Sequence, residues 1–397
     1  MDKKLQVYHF HNGSGGGVLS VIRNLLRFSK NPSIENHVIF TINKDVKPIY
    51  TVEPLEGAQS EQVFYYSPKW NFYHTCRQLA KLLPDDKAII VAHDWLELGM
   101  ASNLGLQNPV VQIVHGNYEY YYDLAISHSL VVDTYIGISN RIFNSLQEKL
   151  SSRYNDIFYL NFPVPNIEAA IKKNELLQLI YYVSNLKDNN KQFATIVEIA
   201  TQLSGTPDNY FFTIAGGGMK REEFFDIWPV AMRNHVNFKG LQTNEEMIAL
   251  LPSQHIFLLP SLAEGLPVSL VEAMKAGAVP LITNWDNNAV DELVKEGVTG
   301  YSFKIGSALD YVVCIKNLQC NRQWLSQLSD NCIQISNTIF DPVINTKKFE
   351  DVYNNIVLKK MSLKNPVKVY GSRLDLSWLG NKFTYLVRNS FKKNARV

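Results

Sequence analysis

Cysteine, long apolar runs and an excess of either charge are all scarce in this sequence of 397 residues. The four cysteines form no CxxC pair and no Cys/His cluster with zinc-ligand spacing, which favours reduced thiols in a core. No run reaches the roughly 18 apolar residues of a membrane-spanning helix, and the first residues do not resemble a signal peptide. A net charge of +2 supplies no general excess of cations for phosphate backbones, which argues against a nucleic-acid-binding protein. We therefore expect a cytoplasmic protein, with peripheral contact at the inner face of a membrane left open.

The length and composition indicate two globular domains. A chain of 397 residues exceeds one ordinary core, and 46% hydrophobic with 19% charged residues is typical of folded proteins. Strand-like and helix-like segments alternate in both halves, which predicts parallel sheets covered by helices. Pro163 and Pro165 suit a linker between the halves. We predict an α/β protein with Rossmann-like domains at 1–165 and 175–345, followed by a C-terminal segment at 346–397.

Short β-branched or aromatic runs mark the predicted strands, and a helical spacing of apolar residues marks the helices. The strand segments are "LQVYHF", "HVIFTI", "AIIVAHD", "VVQIVHG", "TYIGISN", "LIYYVSNL", "YFFTIAGGG", "VNFKGL", "HIFLLPS" and "AVPLITN". The helix segments are "VLSVIRNLLRFS", "RIFNSLQEKL", "FATIVEIATQL", "NEEMIALLPS" and "VSLVEAMKA".

Two glutamates, Glu264 and Glu272, stand eight positions apart in the stretch "SLAEGLPVSLVEAMKAGAVPLITN". The stretch predicts a strand, a tight loop and a helix, with Pro267 at the first helical position and Gly277 in a left-handed turn after the helix. The unbonded N–H groups at the start of the helix attract phosphate. A carboxylate can accept hydrogen bonds from two vicinal hydroxyls, so one acid for ribose and one for a hexose predicts a sugar-nucleotide site. The alternative is that Glu272 faces solvent and Glu264 lies in an ordinary loop.

The segment "EGLPVSLVEAMKAG" resembles the signature of retaining glycosyltransferase family 4, whose members have the GT-B fold. The resemblance implies two Rossmann-like domains that face a central cleft, with C-terminal helices that cross back to the N-terminal domain. It further implies that Glu264 contacts the donor sugar and that Glu272 holds the ribose. The backbone that cradles the diphosphate would then come from Gly265, Leu266, Pro267, Val268 and Ser269.

Two glycine-rich turns follow predicted strands. "GSGGG" does not continue as the G-x-G-x-x-G fingerprint of dinucleotide-binding proteins. Its Gly16 and Gly17 match the glycine pair that lines the cleft in the resembled family. In "AGGGMKREE", Gly217 lies where that family has a turn close to the nucleotide. A plain strand–helix turn is the alternative for each.

His115 ends the predicted strand "VVQIVHG", where a histidine can bind phosphate, hold a hydroxyl or exchange a proton. Its position resembles that of the family histidine that faces the donor sugar. His93 and Asp94 also end a strand, and for these two we expect a structural role.

The resemblance implies an arginine and a lysine that clamp the diphosphate and make a divalent metal unnecessary. Lys191 fits the lysine, but Asn185 stands where the arginine is expected. An amide can donate a hydrogen bond to phosphate but adds no charge. Lys187 is an alternative source of the missing cation. We expect no metal ion and no cofactor, with a UDP- or GDP-linked sugar as co-substrate.

Residues 359–397 hold ten lysines and arginines and one acid, Asp375, which gives a net charge of +9 and leaves −7 for the rest of the chain. Aromatic residues, among them Trp378 and Phe383, are interleaved with the cations. Three interpretations remain open: packing against the first domain, a solvated cationic surface, or attachment to an anionic membrane surface.

The sequence thus predicts a glycosyltransferase that moves a hexose from a nucleotide diphosphate sugar to a hydroxyl of a glycan or lipid-linked acceptor. The resemblance implies retention of anomeric configuration and a role in cell-surface polysaccharide or glycolipid synthesis. A GT-B sugar-nucleotide epimerase is an alternative enzyme, whereas a phosphorylase would need a cofactor lysine for which we find no candidate. A catalytically weak binding or scaffolding protein is the alternative of another class, since Asn185 weakens the cation clamp.

Overall fold

The structure is a computed structural model that describes residues 4–46, 54–168, 176–284, 290–359 and 363–394, with side chains up to residue 390. The chain divides into two compact units. The first comprises Met1–Phe162 together with Val343–Val397, and the second comprises Pro163–Pro342.

The first unit is built on a seven-stranded parallel sheet. Its strands are β1 (Leu5–His11), β2 (Ile34–Asn43), β3 (Ser60–Tyr66), β4 (Ile89–Ala92), β5 (Val110–Val114), β6 (Thr134–Gly137) and β7 (Ile157–Tyr159). The helices that follow them are α1 (Gly17–Phe28), α2 (Phe72–Ala80), α3 (Trp95–Leu104), α4 (Glu119–Ser127) and α5 (Asn140–Lys149). The spatial order β3-β2-β1-β4-β5-β6-β7 reverses direction between β1 and β4, so the loops after these two strands leave the sheet on opposite sides.

The second unit has a six-stranded parallel sheet with the same kind of reversal, in the order β10-β9-β8-β11-β12-β13. Its strands are β8 (Leu177–Asn185), β9 (Tyr210–Gly217), β10 (Val236–Gly240), β11 (Ile256–Leu259), β12 (Val279–Asn284) and β13 (Tyr301–Lys304). Its helices are α6 (Phe193–Leu203), α7 (Arg221–Ile227), α8 (Asn244–Leu250), α9 (Val268–Lys275), α10 (Ala308–Cys320) and α11 (Arg322–Ile339). Here the reversal falls between β8 and β11.

The strands and helices predicted from the apolar runs are all present. The central strands β4, β5 and β11 are buried along their whole length, as expected for parallel strands covered on both faces. Gly277 adopts φ +78° after α9, which confirms the predicted left-handed turn. The prediction for Pro267 was wrong by one position: helix α9 begins at Val268, and Pro267 is the preceding residue with extended ψ of 123°.

The C-terminal segment belongs to the first unit. It contains α12 (Pro342–Leu358) and α13 (Asn381–Asn394). Lys364 is 5% exposed, and its Nζ lies 2.5 Å from Asp133 Oδ2 and 2.6 Å from the carbonyl oxygen of Asn108. Arg388 Nη2 contacts Asp375 Oδ2 at 2.7 Å. Part of the basic segment therefore packs against the rest of the first unit, which is the first of the three interpretations that the sequence left open. No helix within the described ranges is long and apolar enough to cross a membrane.

Candidate active site

The second unit brings the loops after β8 and β11 together at the reversal of its sheet. Ligands of open α/β sheets bind at such a point, beside the carboxyl ends of the strands. The loop after β8 carries Lys191, and the loop after β11 carries Glu264. The fold therefore places both predicted residues where a ligand is expected.

Lys191 and Glu264 form an ion pair with 2.5 Å between Nζ and Oε1, and their side chains are only 21% and 11% exposed. Asn190 links the loop after β8 to the loop after β11 through hydrogen bonds. Its side-chain amide donates to the carbonyl of Ala263 at 2.8 Å, and its Oδ1 accepts from the N–H of Ala263 at 3.0 Å. Because both loops are fixed by these bonds, the cation and the carboxylate are held close together before any ligand binds.

A strained residue follows Lys191. Gln192 has φ +54°, and it is the one non-glycine residue with positive φ in the parts of the chain that the structure describes. Such a conformation costs about 1–2 kcal/mol for a residue with a Cβ atom. It turns the chain from the Lys191 loop directly into α6, which keeps the loop short. Strain of this kind is commonly retained at functional sites.

Glu272 lies on α9 and is 2% exposed. Its Oε2 accepts from the Tyr182 hydroxyl at 2.6 Å, and its Oε1 accepts from Asn244 Nδ2 at 2.9 Å. These two partners account for a carboxylate within an apolar run, because a buried charge needs hydrogen bonds. The carboxylate of Glu272 is therefore held in one orientation.

The start of α9 offers unbonded N–H groups. The N–H of Val271 is the first to reach back along the helix, to the carbonyl of Pro267 at 3.4 Å. Pro267 provides no side-chain cap, so the N–H groups of residues 268–270 have no partner within the helix. The predicted backbone residues, Gly265, Leu266, Pro267, Val268 and Ser269, thus form the loop and first turn directly after Glu264.

Asn185 and the glycine turn after β9 lie next to each other. Asn185 pairs with Gly217 in the sheet, and Gly218 has φ +81°. A Cβ atom on Gly218 would come within 2.0 Å of Asn185 Oδ1, so glycine is needed there. Asn185 Oδ1 also accepts from the N–H of Lys187, whose Nζ pairs with Glu223 at 2.7 Å. Lys187, the alternative source of the missing cation, therefore already pairs with an acidic residue.

In the first unit, Gly16 precedes α1 with φ +126°, a conformation that favours glycine, and Gly17 is the first residue of the helix. His115 follows β5 and is 8% exposed. Its Nε2 lies 2.7 Å from His93 Nδ1, and His93 Nε2 lies 3.4 Å from His9 Nδ1. Burial lowers the pKa of His115 to about 3 and that of His9 to about 4, so both rings are neutral near neutral pH.

Several residues at these sites were missed by sequence reasoning. Tyr182 and Asn244 are 90 and 28 positions from Glu272, and His9 is 84 positions from His93. A tyrosine in a strand or a histidine in an apolar run carries no signal of such a partner. The one available hint was that His93 and His115 each end a strand of the same sheet.

Comparison with known proteins agrees with this geometry. Residues 164–334 match the family model described as glycosyl transferases group 1. A UDP-Gal:alpha-D-GlcNAc-diphosphoundecaprenol alpha-1,3-galactosyltransferase of Escherichia coli is 22% identical over 172 residues, which are 43% of this chain and 43% of that protein. An uncharacterized glycosyltransferase of Haemophilus influenzae is 23% identical over 83% of this chain and 94% of its own length. The chain thus spans under half of the first relative and nearly all of the second.

Among solved structures, HepE of Anabaena in complex with UDP-glucose is similar, with a TM-score of 0.69 at 13% identity over 88% of this chain and 99% of HepE. At that identity the likeness shows the fold alone, and the fold agrees with the two parallel sheets described above. The predicted GT-B fold is therefore confirmed, and the matched segment includes the whole Lys191–Glu264–Glu272 arrangement. Residues 164–334 accordingly match the glycosyl transferases group 1 family, within a chain that has the GT-B fold.

Proposed function

We propose that the protein transfers a hexose from a UDP- or GDP-linked sugar to a hydroxyl of a glycan or lipid-linked acceptor, with retention of anomeric configuration. The observation that carries this proposal is the arrangement at the reversal of the second sheet. There the partly buried Lys191–Glu264 pair and the buried Glu272 adjoin the unbonded N–H groups of α9. That combination suits a ligand with two negative phosphates between two hydroxyl-rich sugars.

Each residue has a chemical part in the proposed reaction. As the C1–O bond of the donor breaks, negative charge develops on the leaving diphosphate. We assign its stabilisation to Lys191 and to the helix N–H groups at Val268 and Ser269. Glu264 would orient the donor hexose, and Glu272 would accept bonds from the two ribose hydroxyls. Because Lys191 and the N-terminal end of α9 would stabilise the charge of the phosphates, the reaction should need no metal ion.

The remaining predicted residues receive supporting parts. For Gly16, Gly17 and His115 we propose the parts that the resemblance implies: glycines that permit close approach of backbone to a ligand, and a histidine that binds a sugar hydroxyl. Gly217 and Asn185 would lie beside the nucleotide, with the amide donating to phosphate in place of an arginine. The E. coli relative uses UDP-Gal and a diphosphoundecaprenol-linked GlcNAc, as its name states. That name favours UDP and a lipid-linked acceptor for this chain, in polysaccharide or glycolipid synthesis.

A donor panel tests the proposal. UDP-, GDP- and ADP-linked hexoses are incubated with the protein, with and without a chelator, and free nucleotide and new sugar nucleotides are measured. We expect one nucleotide class to raise the melting temperature and its sugar to release free nucleotide slowly, unchanged by the chelator. Conversion of the sugar without nucleotide release would indicate an epimerase instead. Binding without turnover, even with glycan and lipid-linked acceptors present, would indicate the scaffolding alternative.

We also propose that the C-terminal segment contacts an anionic membrane surface. The side chains of Lys364 and Arg388 form ion pairs within the first unit. In contrast, the side chains of Trp378, Phe383 and Leu386 are 77%, 54% and 65% exposed. Exposed aromatic and aliphatic side chains among cations suit insertion at the headgroup level, where each nearby cation adds about 1 kcal/mol.

Deletion of the segment is a poor test, because it would remove the partners of Asp133 and of buried Asn71, whose side chain donates to three carbonyls of the segment. Serine at positions 378, 383 and 386 (Trp378→Ser, Phe383→Ser and Leu386→Ser together) should instead lower flotation with phosphatidylserine vesicles about tenfold or more. The control is Leu130→Ser, which changes a leucine that is 72% exposed elsewhere in the unit. Equal flotation of both variants would refute membrane contact through this segment.

A further inference from the structure

The ion pair between Lys191 and Glu264 occupies both side chains. Lys191 Nζ lies 2.5 Å from Glu264 Oε1, and within the described ranges neither side chain has a second hydrogen-bonding or ion-pairing partner. The two side chains are only 21% and 11% exposed, so water solvates neither charge fully. Each charge therefore depends on the other for much of its stabilisation.

Hydrogen bonds fix the backbone on both sides of this pair. The hydroxyl of buried Tyr181 donates to the carbonyl oxygen of Lys191 at 2.8 Å. The side chain of Asn190, one residue before Lys191, bonds both the carbonyl and the N–H of Ala263. Ala263 is in turn the residue before Glu264. The ammonium group of Lys191 can still rotate towards a ligand on its flexible stem, whereas the backbone bonds oppose a matching shift of Glu264.

A phosphate group competes with Glu264 for Lys191. In the proposed function Lys191 stabilises the leaving diphosphate, and a diphosphate that takes the ammonium group removes the cation from the carboxylate. Glu264, at 11% exposure, then loses its partner without gaining full hydration. The diphosphate also brings negative charge towards the carboxylate. Both effects oppose the binding of a nucleotide diphosphate that carries no sugar.

The sugar of an intact donor compensates for this loss. Hexose hydroxyls donate to a carboxylate, and hydrogen bonds to an ionised acceptor are stronger than those between neutral groups. Oε2 of Glu264 has no partner among the residues that the structure describes, and Oε1 becomes available once Lys191 turns to the phosphate. A sugar nucleotide thus supplies new partners to both members of the pair. A nucleotide diphosphate supplies one to Lys191 only.

We infer that the Lys191–Glu264 ion pair selects the intact sugar nucleotide over the nucleotide diphosphate, with Glu264 as the residue that determines this specificity. The inference deepens the proposed function and rests on it for the identity of the ligand. After transfer the sugar leaves with the acceptor, so Glu264 loses its hydroxyl partners and pairs with Lys191 again. The same ion pair therefore favours donor binding before the reaction and release of the nucleotide diphosphate after it.

Glu264→Gln tests the selection, because glutamine keeps the shape of the side chain and removes its charge. Affinities of the full chain for UDP, GDP, ADP and their hexose derivatives are measured by titration calorimetry. For the nucleotide class that the parent binds, the variant should bind the nucleotide diphosphate about tenfold more tightly, because no charge is stranded. It should bind the sugar nucleotide about tenfold more weakly, because a hydrogen bond to a charged acceptor is lost. The preference for the sugar nucleotide should thus fall about a hundredfold, and an unchanged preference would refute the inference.

Two further variants separate this exchange of partners from a general effect of charge. Glu223→Gln removes a carboxylate of the same unit that is 45% exposed and pairs with Lys187, and it should change each affinity less than about threefold. In a Lys191→Met background no ammonium group remains to be exchanged. There, Glu264→Gln should raise the affinity for the nucleotide diphosphate less than it does in the parent. An equal rise in both backgrounds would mean that Glu264 merely repels phosphate, and the exchange would be refuted.

The binding results also distinguish a failure of this inference from a failure of the proposed function. If the parent binds none of the three nucleotides and none of their hexose derivatives, the proposed function and the inference are refuted together. If the parent binds one class and transfers its hexose, but Glu264→Gln weakens the nucleotide diphosphate and the sugar nucleotide alike, the inference alone is refuted.

Discussion

Lys191→Met is expected to slow release of nucleotide from the donor about 10²- to 10³-fold. Lys191 has its Nζ 2.5 Å from Glu264 Oε1 at the carboxyl edge of the second sheet. It is the cation that we assign to the leaving diphosphate, and methionine keeps the length of the side chain without the charge. Nucleotide release at saturating donor concentration measures the effect on the chemical step.

A loss of activity could also reflect a damaged site, because Lys191→Met leaves the Glu264 carboxylate, which is 11% exposed, without its partner. A stranded buried charge costs roughly 3 kcal/mol or more. The double variant Lys191→Met/Glu264→Gln removes that charge, so it should regain most of the stability and none of the activity. Recovery of turnover in the double variant would show that Lys191 acts only through Glu264.

Lys187→Met is the matched control for the choice of cation. Lys187 pairs with Glu223 on the surface, where the two side chains are 54% and 45% exposed. Exposed pairs of this kind contribute about 0–1 kcal/mol, and we expect turnover to change less than about threefold. If this variant loses as much activity as Lys191→Met, Lys187 is the phosphate cation that replaces the expected arginine, and our assignment is wrong.

The sequence predicted the fold well because both sheets are parallel and buried. Central strands such as β5 and β11 appear as unbroken apolar runs, and Gly277 marks the end of α9. The strands that sequence reasoning missed are β3, β7 and β13. Strand β3 is an edge strand in which six of seven residues are exposed or half-exposed, and β7 and β13 are only three and four residues long. Strands of this kind lack the apolar signal on which the prediction depends.

Sequence patterns could predict only those site residues that lie within one continuous stretch of the chain. Glu264 and Glu272 could be found because a strand, a loop and a helix lie in one continuous stretch. The partners of Glu272, Tyr182 and Asn244, come from β8 and the start of α8, and only tertiary packing brings them together. The contact of His9 with His93, 84 positions along the chain, likewise arises only from tertiary packing.

Lys275→Met is expected to lower the free energy of unfolding of the second unit by about 3 kcal/mol. Lys275 is fully buried at the end of α9, and no carboxylate lies within ion-pairing distance among the described residues. Its Nζ instead donates to the carbonyl oxygens of Val164 and Phe340 at 2.8 and 3.0 Å and to Asn166 Oδ1 at 3.0 Å. Methionine fills the same space but satisfies none of these acceptors. Urea unfolding followed by fluorescence measures the loss, with Lys187→Met as the control that should change by less than about 1 kcal/mol.

The difference in free energy of unfolding between the parent and Lys275→Met should depend on pH. This dependence shows whether burial destabilises the charged form of Lys275. Burial lowers its pKa from 10.5 to about 8, and Asp341 opposes the shift. Between pH 8 and 10.5 the unfolded chain therefore binds more protons than the folded chain, so stability rises with pH in this window. Lys275→Met has no such proton to release, and the gap between parent and variant should widen by up to about 1.4 kcal/mol per pH unit. A gap that stays constant from pH 8 to 10 would mean that the three oxygen acceptors outweigh burial and keep the ammonium charged.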